Sequence, residues 1–111
     1  METTSKQYTH CDVVTVVGIV DSSSAPQFSE ALNAIIHAGR YRIVIDMNGV
    51  EYMSSAGFRA LLAAQRNCKH HNQGEVVLVN VPDNIKNALE LAGFTTLLKI
   101  FNDLISAVGN F

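Results

Sequence analysis

"YRIVIDMNGVEYMSSAGFRALL", Tyr41 to Leu62, holds the two patterns that decide the fold. Tyr41 to Met47 is apolar and rich in β-branched residues, and reads as a strand. Asn48-Gly49-Val50 reads as the turn that ends it. From Ser55 onward Phe58, Leu61, Leu62 and Cys68 recur at helical spacing, with Arg59, Arg66 and Lys69 elsewhere on the wheel. That pattern is an amphipathic helix. At the corner between strand and helix stand two adjacent serines, Ser54 and Ser55, and then Gly57.

The same alternation extends to both sides. Val13 to Val20 is a nearly continuous β-branched run and reads as a buried strand, with the polar segment Ser5 to Thr9 as an edge strand beside it. Ser24 and Gln27 have the spacing of a capping box, and Pro26 falls in the first turn, where its missing N–H costs little. Phe28, Leu32, Ile35 and Ile36 follow at helical spacing, and Gly39 supplies a C-terminal glycine. After the second helix, Asn72 to Gly74 breaks the pattern. Glu75 to Val81 then reads as a strand buried on both faces. Pro82-Asp83 starts a third helix, carried by Ile85, Ala88, Leu89 and Ala92 and closed by Gly93. Leu97 to Phe101 reads as a short edge strand, and Asn102 or Asp103 caps a last helix through Leu104, Ile105 and Val108. The sum is an α/β fold with a small, largely parallel sheet and about four helices, in one domain spanning residues 1–111.

Composition narrows the function. Of 111 residues, 48% are hydrophobic and 16% charged, which places the chain among globular proteins and not disordered ones. The net charge is -2 and there is no Lys/Arg-rich run, so nothing electrostatic recommends nucleic acid as a partner. No apolar stretch nears the ~18 residues that would span a bilayer, and "METTSKQYTH" at the start lacks a signal-peptide core. A cytoplasmic protein without membrane insertion is expected. Cys11 and Cys68 lie far apart without CxxC spacing and are expected as free thiols. Their spacing to the four histidines does not suggest a metal site, and no cofactor is expected.

The serine corner has three readings. Ser54 or Ser55 can be the N-cap of the helix, accepting one of its unpaired N–H groups. Ser55 can be a nucleophile, but the elbow motif G-x-S-x-G then demands glycine where Met53 stands. A base is also needed. His37 and His70-His71 sit in last helical turns, which suit a cation at the negative end of the macrodipole and do not face a helix N-terminus. Hydrolysis is not expected, no phosphate-binding loop is present, and the protein is expected not to be an enzyme. The third reading is a phosphate acceptor, since a helix N-terminus tolerates the added dianion. Elsewhere, Asp21 reads as a turn or cap residue. Asp46 reads as a strand-end carboxylate that bonds loop N–H groups.

Three blocks together, Gly18 to Phe28, Ile43 to Leu62 and Asn87 to Phe101, resemble the STAS domain family and, within it, the bacterial anti-sigma factor antagonists. The resemblance runs from about Tyr8 to Val108 and implies a STAS-like fold. Such proteins carry an Asp-Ser-Ser/Thr/Ala-Gly motif at the start of the second helix, whose first serine is phosphorylated by a partner kinase that is also the anti-sigma factor. The match makes Ser55 the phospho-acceptor, Ala56 the variable position and Gly57 the glycine, while Ser54 replaces the aspartate. Asp21 matches an aspartate of the family on the same rim. The resemblance thus implies partner binding by Asp21, Ser22, Ser54, Ser55, Gly57, Phe58 and Arg59. The implied partners are an anti-sigma factor/serine kinase and a phosphatase. STAS domains of lipid-transport ABC systems and signalling scaffolds, which dock without a phospho-switch, are the alternative, and the missing aspartate favours it.

Overall fold

The computed structural model describes residues 1–71 and 73–111. The strands are β1 (Glu2–Gln7), β2 (Asp12–Val20), β3 (Arg42–Met53), β4 (Glu75–Val79) and β5 (Lys99–Phe101). The helices are α1 (Ala25–His37), α2 (Ser55–Lys69), α3 (Asp83–Leu91) and α4 (Leu104–Gly109), with a 3-10 turn at Phe94–Thr96. The sheet order is β1-β2-β3-β4-β5. β1 is antiparallel to β2, and the other neighbours are parallel. This is the mixed, largely parallel α/β fold expected from the alternation of elements.

Both faces of the sheet are covered in its lower half, around Val13, Val44 and Val77, which explains the continuous apolar strands there. Ile43, Ile45 and Met47 of β3 share one core with Phe28, Leu32, Leu61, Ile85 and Leu89 from the first three helices. Val44, Val77 and Val79 point the other way, onto Ala107 of α4. Leu61 and Val44 are fully buried. Both thiols are free and buried, and burial pushes the Cys68 thiol up to about 11. No described helix is long and apolar enough to cross a membrane.

Several boundaries differ from the sequence reading. Asn48-Gly49-Val50 is not a turn, because β3 runs on through it to Met53. Pairing with β2 continues by means of two register shifts, in each of which β3 carries one residue more than β2. Such bulges keep the ladder while re-aiming side chains. Gly49 is required there, since a Cβ would stand 2.9 Å from Val17 Cγ2. β1 lies earlier than Ser5 to Thr9, because Tyr8 leaves the ladder, donates its N–H to Cys11 O (2.8 Å) and packs towards α4. β4 ends at Val79 because Asn80 turns into the left-handed region (φ +56°). Ile105 is 86% exposed, since the short α4 reaches the sheet through Leu104, Ala107 and Val108. Of the expected break after α2, Asn72 lies outside the described residues, while Gly74 packs too tightly for any side chain, 2.0 Å from Cys68 O at the Cβ position.

The helix ends are mixed. α1 closes as a Schellman motif on Gly39 (φ +85°), with Gly39 N donating to Ile36 O and Arg40 N to Ile35 O. Asp103 caps α4 by accepting from Ser106 N at 2.8 Å. The expected capping box of α1 is not formed, because the Ser24 hydroxyl is used on the strand side instead.

One side chain that periodicity did not mark joins three elements. Gln65 of α2 is buried, accepts from Val76 N (2.6 Å) and donates to Leu97 O (2.7 Å). The β4–β5 ladder starts only at Val77, so Gln65 serves a backbone group just beyond it. Gln65→Leu keeps the approximate volume but orphans both groups. It is expected to destabilise the fold by about 2–4 kcal/mol, read from the midpoint shift in urea at unchanged slope.

Candidate functional site at the rim of the sheet

The carboxyl ends of β2 and β3 meet at one rim. Val20 pairs with Met53, and one residue on Ser54 N donates to Val20 O at 2.8 Å. That bond sets the Asp21 turn beside the serine corner. Ligands and partners of open α/β sheets gather at such strand ends.

Asp21 is the hub of the first loop. Its Oδ1 accepts from Ser23 Oγ (2.6 Å), Ser23 N (3.0 Å) and Ser24 N (3.1 Å). Ser24 Oγ accepts from Asp21 N and donates to Ile19 O, both at 2.9 Å. The Ser23 hydroxyl, followed by the two N–H groups, holds the Asp21 carboxyl below its usual value. Asp21 therefore fixes the loop, while Ser22 and Ser23 stand exposed on it.

The serine corner is built differently. Ser54 is the N-cap of α2 by backbone geometry (φ −79°, ψ 173°), and its C=O accepts from Phe58 N. Its side chain makes no cap bond, and its Oγ is buried without a hydrogen-bond partner. Ser55 is the first helical residue and is exposed. Neither hydroxyl caps the helix, so no side chain of the corner offsets the positive end of its macrodipole.

The remaining expected site residues divide. Gly57 is buried, with its Cβ position 2.5 Å from Met53 Cγ and 3.0 Å from Val20 Cγ1. It lets α2 lie on the strand ends, and seats the corner from beneath. Phe58 is half-buried, edge-to-face with Phe94 at 5.8 Å between centroids. Arg59 is exposed, and among the described residues no carboxylate pairs with it. Asp46 stays off the rim, mid-strand, accepting from Asn48 N (3.1 Å) and near Asn80 Nδ2 (3.4 Å). His37 ends α1, His70 and His71 follow α2 and His10 precedes β2, all at the far end of the sheet from the rim, and His71 stacks on Tyr41 at 3.6 Å, beside the start of β3. None of these imidazoles neighbours Ser55. No group of three or more metal-ligating side chains gathers among the described residues.

With this geometry in place, comparison with known proteins gives a consistent result. The family described as "Mlab, STAS domain" matches residues 4–99. A protein of Bordetella bronchiseptica assigned as an anti-sigma factor antagonist, BtrV, is 31% identical over 94 residues, covering 85% of this chain and 80% of its own. The crystal structure of an anti-sigma factor antagonist from Mycobacterium paratuberculosis superposes with a TM-score of 0.88 at 23% identity, covering 98% of this chain and 92% of that one. The phosphorylated form of the Bacillus cell fate determinant SpoIIAA superposes at 0.76 with 16% identity, covering 98% of each chain. This chain belongs to the STAS domain family.

The corner's construction has measurable consequences. Ser55→Ala removes an exposed hydroxyl that bonds nothing and is expected to change stability by no more than about 0.5 kcal/mol. Ser54→Ala removes a buried, unpaired hydroxyl and is expected to be neutral or stabilising by about 1 kcal/mol. Gly57→Ala overpacks Met53 and Val20 and is expected to cost about 1–3 kcal/mol. Chemical denaturation of the three variants orders them.

Asp21 sets a pH effect of definite sign. Its folded value lies below the usual 3.8, so its contribution is complete above that value and is lost as pH falls through the lowered one. Asp21→Asn is expected to flatten the acid limb of stability below pH 3.8 and to leave the neutral region's slope unchanged, as followed by acid titration of the circular dichroism signal.

Proposed function

We propose that this protein is a cytoplasmic anti-sigma factor antagonist. The unphosphorylated form docks the Asp21–Ser22 loop, Ser54, Ser55 and the adjoining face of α2 with Phe58 and Arg59 against an anti-sigma factor. That partner is also the serine kinase. Phosphorylation of Ser55 weakens docking, and a phosphatase restores it. The nucleotide belongs to the kinase, so this chain needs no cofactor and performs no catalysis of its own.

The observation that carries this reading is the exposed Ser55 at the uncapped N-terminus of α2. A kinase can reach the hydroxyl without disturbing any bond that holds the fold. The product dianion meets the positive end of the helix, which no side chain of the corner caps. The resemblance to SpoIIAA in fold supports an architecture that accommodates a phosphate. The penalty appears only at the interface, where the new charge is stripped of water. An unpaired buried charge costs several kcal/mol, and about 2.8 kcal/mol already lowers affinity a hundredfold.

A second reading has one observation in its favour. Ser54 stands where related motifs carry aspartate, and its buried Oγ offers no carboxylate to a reacting neighbour. On that reading the domain docks constitutively, as a subunit of a lipid-transport ABC system or a signalling scaffold.

The readings separate in one experiment. Wild type, Ser54→Ala, Ser55→Ala and Ser55→Asp are incubated with the partner kinase and ATP, and the modified residue is mapped by fragment mass. Phosphate on Ser55 in wild type and Ser54→Ala is expected, with none in Ser55→Ala. Ser55→Asp is expected to fold normally and lose at least part of the affinity that Ser55→Ala keeps. Absence of phosphate on both serines, with complex formation intact, establishes the constitutive docking domain instead.

A further inference from the structure

β1 is an edge strand with features that edges usually avoid. It runs six residues, Glu2–Gln7, in unbroken register with β2 and without a bulge. It contains no proline, and its outer edge bonds no described backbone group. Five of its six residues are exposed. Such an edge is a ready template for another strand. The opposite edge, β5, spans only three residues.

We propose that β1 pairs antiparallel with β1 of a second copy about a two-fold axis at Thr4, joining two sheets into one of ten strands. A two-fold axis perpendicular to the sheet keeps each face on its own side. Opposed residues must therefore share a face, which restricts the registers to those pairing even with even and odd with odd. Centring on Thr4 places Glu2 opposite Lys6 of the second copy, and Lys6 opposite its Glu2. The strand is thus self-complementary in charge. Shifting the axis to Thr3 or Ser5 breaks both pairs.

The neighbours agree with this register. β1 pairs with β2 as Glu2↔Val17, Thr4↔Thr15 and Lys6↔Val13. The central row across the dimer then reads Thr15, Thr4, Thr4 and Thr15, threonine pairs that suit an antiparallel sheet. The flanking rows read Val17, Glu2, Lys6 and Val13. Val17 is 45% exposed in the single chain, so the lysine stem of the second copy has apolar surface to cover. On the other face Thr3 meets Ser5 of the second copy. Beside these small side chains is a cavity of about 310 Å³ bordered by Ala31, Ala34 and Ile35 of α1, the Ala38 that follows it, and Arg40, which leaves open space on this face of the strand. The serine corner lies at the end of β3, with β2 between it and the paired edge, and remains free in the dimer.

Sedimentation of the full chain over a wide concentration range tests the pairing. The mass is expected to rise from one chain to two. Glu2→Lys alone and Lys6→Glu alone each set like charges opposite twice and are expected to weaken the dimer on the order of tenfold. The double swap Glu2→Lys with Lys6→Glu recreates both pairs in reverse and is expected to restore it. Circular dichroism confirms that each variant folds. A wild type that stays monomeric at the highest concentration overturns the proposal. So does a dimer that is indifferent to the single reversals, or a double swap that fails to rescue.

Discussion

The parallel pairing of β2 with β3 is the constraint on which the rest depends. These are the two longest strands, and their ladder runs from Asp12↔Ile43 to Val20↔Met53. It sets the central sheet, divides the core between two faces and delivers two chain turns to one rim. The last tie, Ser54 N to Val20 O, fixes where α2 begins. Gly57 then allows that helix to lie directly on Val20 and Met53. A displaced register in this pair would separate Asp21 from Ser55, because one residue of slip turns every side chain to the other face.

The two bulges explain how a constant ladder serves changing needs. In the lower half, β3 alternates regularly between the helical layer and α4. In the upper half α4 no longer covers the sheet, and Val17, Ile19 and Tyr52 stand partly exposed. The two extra residues of β3 return Val50 and Met53 to the core under α1 and α2. The rim is thereby raised on a packed base while its outer face stays open.

Much of this was legible in the sequence, for identifiable reasons. Elements with strong periodicity were found within a residue or two, because Val13 to Val20 and Phe28 to Ile36 each bury an uninterrupted face. The positions of Asp21 and Ser55 at strand–helix corners could be read, because such corners announce themselves by serine and glycine; the roles given to them came from the family resemblance. Three features were hidden. Asn48-Gly49 carries the composition of a turn, and only pairing with β2 turns it into a bulge. Gln65 looks like a solvated helix residue, and only the late start of β5 gives its amide two backbone partners. Arg40 and Asp12 are 28 residues apart, and only the closure of β2 against the end of α1 brings the guanidinium onto that buried carboxylate and onto Tyr8 O and Cys11 O. Each of these is set by tertiary neighbours, which local pattern does not encode.

Asp21 and Ser54 are built in opposite ways at the rim. Asp21 spends its carboxylate on its own loop, holding Ser23 and Ser24. Ser54 commits nothing: its amide closes the rim, yet its hydroxyl stays buried and unbonded. An unpaired buried hydroxyl is a small standing cost that the fold does not need. A loop locked by one residue beside a helix start left open by its neighbour is the arrangement the proposed phospho-switch would use: a fixed backbone carrying a charge that changes. Rigid backbone is what makes an added charge effective, because a surface that could rearrange would move the charge back into water and recover most of the desolvation cost. In the proposed switch, the Asp21 loop, Gly57 and the Val20 tie would hold the rim in place, so that a phosphate added at Ser55 would keep its position against a partner.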